Sequence, residues 1–299
     1  NPNIQSPVNL SFQKIYYELQ TVTQELFDFN ALLTPEEDIV VVGAYNNSRN
    51  LVTKFTNTGN VVWAKNYHYN NNISRIATAI NTNDGNYLLG GDAWISTLAI
   101  SKVTPAGNIL WSVSPYLNNT SYLFHTFNDI IQLPDSSFIL CSTLKVSFSM
   151  SKICLFKLSA DGVMQWSKIL ETGSATEGGK LYQIGNGVYL AGSITPTITL
   201  STTPAWDGLL LKIDPTTGNL LFIQRYDAGG LPNKLVNIIS VGSKLLLDGY
   251  IINQATGQPS NIKTLDFVNL DGNILLSKTL QNENSAGSGP ALILNSDHN

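Results

Sequence analysis

Short apolar runs separated by turn residues recur along the chain and predict many short β-strands. Alternating stretches such as Ile76 to Ile80 and Leu235 to Ile239 have the period of two expected of a half-buried strand. The best candidate for a helix is the short stretch 18–26. Five further runs begin with large apolar residues and end with small ones: VVVGA at 40–44, YLLGG at 87–91, FILCS at 138–142, YLAGS at 189–193 and LLLDG at 245–249.

A hairpin with a glycine turn follows each of these runs. The stretch 209–225, LLLKIDPTTGNLLFIQR, shows the unit: an apolar strand, a lysine, a tight turn and a second apolar strand. Glycine tolerates the positive φ that such a turn requires. The turn glycines are Gly59, Gly107, Gly162, Gly218 and Gly272, at intervals of 48, 55, 56 and 54 residues. The chain is therefore predicted to be a repeat protein.

A large apolar side chain stands four residues after every turn glycine. The residues are Trp63, Trp111, Trp166, Phe222 and Leu276. This position falls on the outer strand of the hairpin, from which an aromatic ring can lie across the neighbouring repeat. We therefore predict that the turn glycines and these rings have packing roles.

Four strands in a repeat of roughly 50 residues are typical of a propeller blade. The sequence predicts an all-β propeller of about five to six four-stranded blades, forming a single domain over residues 1–299. Three arrangements fit: five blades with a remnant, six blades with an incomplete closing blade, or a fragment of a longer protein. We favour a ring of five or six. Blades are predicted at about 24–67, 74–116, 123–170, 180–226 and 233–280, with 9–17 and 287–295 as parts of a closing blade.

Composition favours an exported β-protein. Only 13% of the 299 residues are charged, while 43% are hydrophobic. The net charge of −4 and the scattered basic residues argue against nucleic acid as a partner. No apolar run is long enough to predict a transmembrane helix. The chain has no signal peptide and opens on Asn1, which we interpret as a processed or trimmed mature chain.

The two cysteines allow two interpretations. Cys141 is predicted on the second strand of the third blade and Cys154 on its third strand. A hairpin could place them opposite one another and allow a disulfide. The alternative is a pair of small buried residues with free thiols. Neither cysteine has histidines or further cysteines near it in sequence, so no metal site is predicted.

The turn sequence resembles that of a known propeller family. In DPTTGNLLF, the residues Asp214, Gly218 and Phe222 resemble the D-x-x-T-G-x-x-x-W repeat of PQQ-like (tryptophan-docking) propellers. The fuller pattern adds the Tyr-Leu-Leu-Gly-Gly strand after 84–86 and is similar to repeats of secreted and cell-surface proteins of Bacteroidetes-type bacteria. The likeness covers about residues 10–295. It implies a propeller in an extracellular or cell-surface, outer-membrane associated protein.

The resemblance does not extend to cofactor chemistry. A PQQ-dependent dehydrogenase needs a larger ring and a Ca²⁺ site of acidic and amide side chains, and we cannot assemble these from the repeats. We therefore predict no cofactor and no metal. His68 and His125 lack a Gly-x-Ser-x-Gly motif, and the acidic run 36–38 follows a proline as a solvated turn does. No catalytic residue is predicted.

Aromatic residues in the inserted loops are the predicted binding residues. They are Trp206, Tyr67, Tyr69, Tyr116 and Tyr122, and Trp206 lies in the longest insertion, 194–208. Aromatic rings beside amides suit protein or sugar surfaces. We therefore predict a non-enzymatic binding or scaffold module that docks another envelope or extracellular protein. The alternatives are glycan recognition and a carbohydrate-active enzyme whose acids come from different blades.

Overall fold

The chain folds into antiparallel β-sheets, which confirms the all-β fold class. The computed structural model describes residues 26–45, 49–69, 72–93, 97–117, 124–147, 150–170, 172, 175–195, 206–253 and 255–281. The predicted closing-blade segments at 9–17 and 287–295 lie outside these residues, as does Tyr122. The described residues contain no helix that is long and apolar enough to span a membrane.

In the described part of the chain the strands form five antiparallel sheets, in which consecutive strands pair except that β14 and β15 both pair with β16. Blade one contains β1 (Leu26–Leu33), β2 (Ile39–Tyr45), β3 (Arg49–Phe55) and β4 (Val61–Asn66), and blade two contains β5 (His68–Tyr69), β6 (Asn72–Asn81), β7 (Tyr87–Ala93), β8 (Thr97–Val103) and β9 (Ile109–Val113). Blade three contains β10 (Phe124–Gln132), β11 (Phe138–Lys145), β12 (Ser151–Leu158) and β13 (Met164–Ile169). Blade four contains β14 (Thr176–Glu177), β15 (Leu181–Ile184), β16 (Gly187–Ile194), β17 (Asp207–Ile213) and β18 (Leu220–Tyr226), and blade five contains β19 (Asn233–Val241), β20 (Lys244–Ile252), β21 (Pro259–Val268) and β22 (Ile274–Gln281).

The last hairpin of each blade turns on a glycine. Gly59, Gly107, Gly162, Gly218 and Gly272 have φ values of 77°, 73°, 80°, 70° and 82°. In blade two, the Thr104 amide donates to the Asn108 carbonyl and the Gly107 amide donates to the Thr104 carbonyl, both at 2.8 Å. The Thr104 hydroxyl also accepts a hydrogen bond from the Asn108 amide at 3.1 Å. Residues with a Cβ rarely adopt this φ, so glycine suits the position.

A β-bulge occurs at one fixed place in every outer hairpin. The residue opposite the aromatic position is Lys54, Lys102, Lys157, Lys212 or Phe267, and the register shifts immediately after each of them. A bulge adds twist and re-aims the side chains beside it. It therefore sets the direction of the ring on the outer strand in the same way in each blade.

The chain divides into two compact units, Asn1–Trp94 with Ala99–Ser114, and Ile95–Leu98 with Pro115–Asn299. In the first unit, blades one and two share a core that includes Val40, Val52 and Leu89. In the second unit, one core cluster joins blades three and four and another joins blades four and five. The middle strands β11 and β16 are almost entirely buried because both of their faces are apolar.

The two cysteines lie on the predicted strands but not opposite one another. Cys141 on β11 pairs with Leu155, and Cys154 on β12 pairs with Ser142. Because successive side chains along a strand point to opposite faces, the two thiols project from opposite faces of blade three. Both cysteines are buried and free. The hypothesised disulfide is therefore not formed. The structure instead agrees with the second interpretation, a pair of small buried residues with free thiols.

Candidate functional site

Charged and aromatic side chains lie close together at the end of blades three, four and five that is opposite the glycine turns. In each meander, the glycine turns lie at one end of the sheet and the connections to the next blade lie at the other. Glu177 ends β14, Trp206 precedes β17 and Lys234 lies at the start of β19. Lys145 ends β11, and Tyr250 lies on β20. We call these five residues the Trp206 cluster.

The lysine at the centre of the cluster has two partners. The ammonium of Lys234 donates to Glu177 Oε2 at 2.5 Å and lies 4.2 Å from the centroid of the Trp206 ring. The other carboxylate oxygen of Glu177 is 3.8 Å from Lys145 Nζ. A cation over an indole face is attracted by about 0.5–2 kcal/mol, the more strongly the less water surrounds it. Lys234 and Glu177 are largely shielded from solvent, so this contact fixes the orientation of the Trp206 ring.

The backbone around Trp206 is also held. Its carbonyl accepts a hydrogen bond from the Asn233 amide at 2.7 Å, which ties it to the start of β19. The next residue, Asp207, forms an ion pair with Arg225 on β18. Burial raises the pKa of Asp207, and the nearby Arg225 counteracts part of that rise. Trp206 is thus a half-buried aromatic residue whose main chain and ring both have fixed partners.

Tyr250 completes the cluster as a neutral phenol. Burial and the negative charge of Glu177 raise its pKa. Lys263, opposite it on β21, places its ammonium 5.7 Å from the centroid of the Tyr250 ring. Two lysines and one glutamate give the cluster one positive charge, in a chain of net charge −4. The cluster therefore combines an indole face, a phenol and paired charges.

The other predicted binding residues occupy different environments. Tyr67 is buried, its hydroxyl donates to the Gly107 carbonyl at 2.8 Å, and burial raises its pKa to about 12. Tyr69 lies on β5 and pairs with Asn72. Tyr116 is 62% exposed. Tyr67 thus belongs to a contact between blades one and two, whereas Tyr116 is open to solvent.

The Tyr67 bond is part of a larger contact between blades. Trp63 Nε1 and Lys65 Nζ donate to carbonyls of the turn 105–107 of blade two, at 2.8–3.0 Å. A Cβ on Gly107 would lie 3.2 Å from Trp63 Cε2 and 3.0 Å from Lys65 Cδ. The turn residue must therefore be glycine for two reasons: its positive φ, and the ring of the preceding blade lying against it.

The same contact recurs in the second unit. A Cβ on Gly218 would lie 2.9 Å from Trp166 Cζ3, and one on Gly272 would lie 3.2 Å from Phe222 Cε2. The hydroxyl of Tyr226 donates to the Gly272 carbonyl at 2.7 Å, as Tyr67 does to Gly107. We call the three positions that face the next turn the docking triad: Trp63, Lys65 and Tyr67 in blade one, Trp166, Lys168 and Leu170 in blade three, and Phe222, Gln224 and Tyr226 in blade four. That these three positions together face one turn was not predicted from the sequence, although the spacing aromatic-x-Lys-x-Tyr at 63–67 was a visible signal.

In blades one to three, the lysine before the turn glycine is buried and forms an ion pair within its own blade. The pairs are Lys54 with Asp38 at 3.1 Å, Lys102 with Asp84 at 2.7 Å and Lys157 with Asp135 at 3.3 Å. Each aspartate lies in the turn between the two strands that come immediately before the strand of its lysine. In blade four, the ammonium of Lys212 instead lies 5.3 Å from the centroid of the Tyr189 ring. The repeat unit in the sequence shows this lysine, but its partner lies in a different turn and is not apparent from the unit alone.

Two further titratable groups, Asp129 and His125, have partners within blades three and four. Buried Asp129 accepts from Lys180 at 3.1 Å and from the Leu181 amide at 2.9 Å. Burial lowers the pKa of His125 to about 4, and its Nδ1 lies 3.2 Å from the Ser142 hydroxyl. Among the described residues, no three His, Cys, Asp or Glu side chains come together as metal ligands would.

No protein-family model and no curated protein matches the sequence. Solved structures do match. The chain is similar to extracellular domains 1–2 of Drosophila semaphorin 1a, with 11% identity over 82% of this chain and 53% of that chain and a TM-score of 0.53. It is similar to the subtype N10 neuraminidase-like protein of the strain A/little yellow-shouldered bat/Guatemala, with 13% identity over 85% of this chain and 82% of that chain and a TM-score of 0.52.

A third match is Drosophila plexin A, whose structure was solved in complex with semaphorin 1b; the identity is 12%, the coverage 82% and 52%, and the TM-score 0.50. These matches are to propeller domains, and the five sheets correspond to blades. The chain is a β-propeller. The propeller spans about half the length of the plexin and semaphorin chains it matches. At these identities the likeness shows the fold alone, since propellers carry many unrelated functions.

Proposed function

We propose that this propeller is a non-enzymatic binding or scaffold module of an exported or cell-surface bacterial protein, and that it docks another envelope or extracellular protein through the Trp206 cluster. The observation that carries the proposal is the fixed position of Trp206, with its ring on Lys234 and its carbonyl bonded to the Asn233 amide. An aromatic side chain held in place loses little conformational entropy on binding. Tryptophan is also enriched among the residues that dominate the energy of protein interfaces.

The ion pairs of the propeller support binding rather than catalysis. A glycosidase needs two carboxyl groups that face one substrate, one of them free to give up a proton. Many of the described carboxylates instead have a Lys or Arg partner: Asp38, Asp84, Asp92, Asp129, Asp135, Glu177 and Asp207. We therefore favour a binding module over a carbohydrate-active enzyme such as a glycosidase or lyase.

Glycan recognition is the second candidate, and one observation favours it. The indole of Trp206 lies beside the carboxylate–ammonium pair of Glu177 and Lys234, with the Tyr250 phenol in the same cluster. Sugar rings stack on such aromatic faces, and their hydroxyls bond to polar groups at the rim. A protein interface uses the same residues, so the two candidates must be separated by experiment.

We also propose that the propeller is of the PQQ-like, tryptophan-docking type without the cofactor, from an outer-membrane associated protein of a Bacteroidetes-type bacterium. Two observations support this assignment: the rings of Trp63 and Trp166 lie against the turn glycine of the following blade, and charged residues make up only 13% of the chain.

The test is an affinity pull-down with the intact chain against envelope and extracellular proteins, with a glycan array in parallel. We expect one protein captured stoichiometrically and lost with Trp206→Ala. Tyr116→Ala, which removes an exposed aromatic residue outside the cluster, is the matched control and should retain the partner. Glycan binding that Trp206→Ala abolishes, with no protein captured, would establish the second candidate instead. A partner retained by Trp206→Ala would refute the site.

A further inference from the structure

A row of three side chains crosses blade five beside Trp206. Lys234 on β19 lies opposite Tyr250 on β20, and Tyr250 lies opposite Lys263 on β21. Residues directly opposite one another on neighbouring strands project from the same face of a sheet. Since neighbouring strands are about 4.8 Å apart, the two lysines stand about 10 Å apart at their Cα atoms, with the phenol between them. We call these three residues the lysine row.

The lysine row and Trp206 offer hydrogen-bond donors to a ligand. An ammonium has only donors, an indole has one donor and no acceptor, and a phenol can donate. Burial and the nearby Glu177 raise the pKa of Tyr250, so its hydroxyl keeps its proton at neutral pH. All three side chains of the row are half-buried, so each still reaches solvent. A ligand that satisfies these donors must supply acceptors, and negatively charged acceptors form the stronger hydrogen bonds.

The carboxylates near the row are engaged or buried. Glu177 is shared between the two lysines of the Trp206 cluster. Asp207 has its own ion pair, and Asp227 accepts a hydrogen bond from a backbone amide at 2.6 Å. Asp248, the preceding residue on the same face of β20, is only 5% exposed. Lys263 therefore brings a positive charge in excess of the single carboxylate of the cluster.

Blade two shows which group fits beside such a cation. Just before the bulge in β6, Arg75 lies opposite Asp92, as Lys234 lies opposite Tyr250 just before the bulge in β19. Arg75 donates to Asp92 Oδ2 at 2.9 Å, so in blade two the strand opposite the cation supplies a carboxylate. In blade five a phenol takes the place of that carboxylate. A carboxylate brought by a ligand would therefore complement the charge of the lysine row.

We infer that the lysine row and Trp206 bind an acidic segment of the partner protein, with an Asp or Glu carboxylate between the ammonium groups of Lys234 and Lys263. The inference rests on the proposed function for the partner being a protein, and it adds the charge of the segment that docks. Because the whole chain has a net charge of −4, the segment is attracted by this local positive charge rather than by the protein as a whole.

The test titrates a fluorescein-labelled peptide of repeated Glu-Ala with the intact chain and measures fluorescence anisotropy. A matched peptide has Gln in place of every Glu. We expect saturable binding of the glutamate peptide and at least tenfold weaker binding of the glutamine peptide. Lys263→Gln should weaken binding of the glutamate peptide at least fivefold, whereas Lys263→Arg should retain it. Lys244→Gln, which removes an exposed lysine at the opposite end of β20 from Tyr250, is the matched control and should bind as the unaltered chain does.

Two further measurements separate charge from folding. Raising the NaCl concentration from about 50 mM to about 500 mM should weaken binding of the glutamate peptide at least tenfold, because salt screens the attraction between half-exposed charges. Lys263→Gln should leave the thermal unfolding midpoint near that of the unaltered chain, since the Lys263 side chain is half-buried and its ammonium contacts the Tyr250 ring rather than a carboxylate.

Absence of glutamate-peptide binding, equal binding of the two peptides, or binding that withstands Lys263→Gln would overturn the inference. So would binding of oligogalacturonate without binding of the glutamate peptide, because the acidic ligand would then be a glycan. The proposed function fails separately. A protein that is captured in the pull-down, lost with Trp206→Ala and retained by Lys263→Gln would support the docking site and refute the acidic segment alone.

Discussion

Glycines with the same backbone conformation have different environments in this propeller. Gly85 has φ of +77° and Gly107 has φ of +73°. A Cβ on Gly85 would have nothing within 4 Å, whereas one on Gly107 would meet the Tyr67 hydroxyl at 2.9 Å and Lys65 Cδ at 3.0 Å. Backbone strain is therefore common to both positions, while the packing restriction belongs to Gly107.

Gly85→Ala and Gly107→Ala separate these two effects. Gly85→Ala should lower the free energy of unfolding by about 1–2 kcal/mol, the cost of a Cβ in the left-handed region. Gly107→Ala should lower it by about a further 1–3 kcal/mol, because the added methyl displaces the docking triad of blade one. Urea unfolding of the two variants measures the difference. Equal losses would mean that the triad shifts without cost and that φ alone selects glycine.

A second prediction for individual residues concerns the reactivity of the two cysteine thiols. Burial raises the pKa of Cys154 to about 12 and that of Cys141 well above its usual range. Because the thiolate is the reactive form, neither should react with an aromatic disulfide reagent at neutral pH in the folded chain. Both should react in denaturant without prior reduction. Asn57→Cys, at an exposed turn position, is the control that should react in the folded state; a native chain with no titratable thiol in denaturant would indicate a disulfide instead.

Within a blade, a buried lysine links its own strand to the hairpin formed by the two strands before it. Burial alone would raise the pKa of Asp84, but hydrogen bonds from Lys102 and Thr82 outweigh it and lower this pKa to about 2. The Thr82 hydroxyl lies 2.6 Å from Asp84 Oδ1. The Asp84 side chain thus connects the turn 82–86 to β8, the strand that leads into the turn of Gly107. Blades one and three have the same link.

Asp84→Asn should therefore destabilise the propeller in a pH-dependent way. The folded-state pKa is lower than the unfolded value of about 3.9, so the ionised carboxylate stabilises the fold above about pH 4, and this contribution is lost as the pH falls through about 2. Because Asp84 is half exposed, the loss at pH 7 should be about 1 kcal/mol or less, and it should shrink towards pH 2. Urea unfolding at several pH values measures it. Asp161→Asn, in an exposed turn of blade three, is the control, and a loss independent of pH would contradict the ion-pair role.

Whether a feature could be predicted from the sequence depended on how far apart in the chain its interacting residues lie. Strands and glycine turns depend on residues within one hairpin, so the four-stranded period and the five turns were predictable. The disulfide hypothesis failed on a one-residue offset of register, because pairing Cys154 with Ser142 sends the two thiols to opposite faces. Trp206 was singled out for its position in a long loop. Its partner Lys234 and the carboxylate of Glu177, 57 residues from that lysine, became visible only when the blades were packed.

At the scale of the whole molecule, each compact unit is stabilised by contacts between its own consecutive blades. The bond from Tyr67 to the Gly107 carbonyl lies within the first compact unit, and the bond from Tyr226 to the Gly272 carbonyl lies within the second. In repeat architectures, stability is approximately a sum of repeat terms and nearest-neighbour interface terms. Equivalent bonds in different units should therefore contribute independently.

Tyr67→Phe and Tyr226→Phe, alone and combined, test this. Each substitution removes the hydroxyl that donates a hydrogen bond to a buried carbonyl. The free energy of unfolding should fall by about 1–3 kcal/mol where that carbonyl is left unpaired. Tyr67→Phe should cost less, because the Gly107 carbonyl keeps its bond from Lys65 Nζ at 3.0 Å. Urea unfolding should give a double-variant loss equal to the sum of the single losses within about 0.5 kcal/mol, since the two bonds share no partner. A larger departure from additivity would mean that the two bonds are energetically coupled, and the nearest-neighbour description would not hold for this propeller.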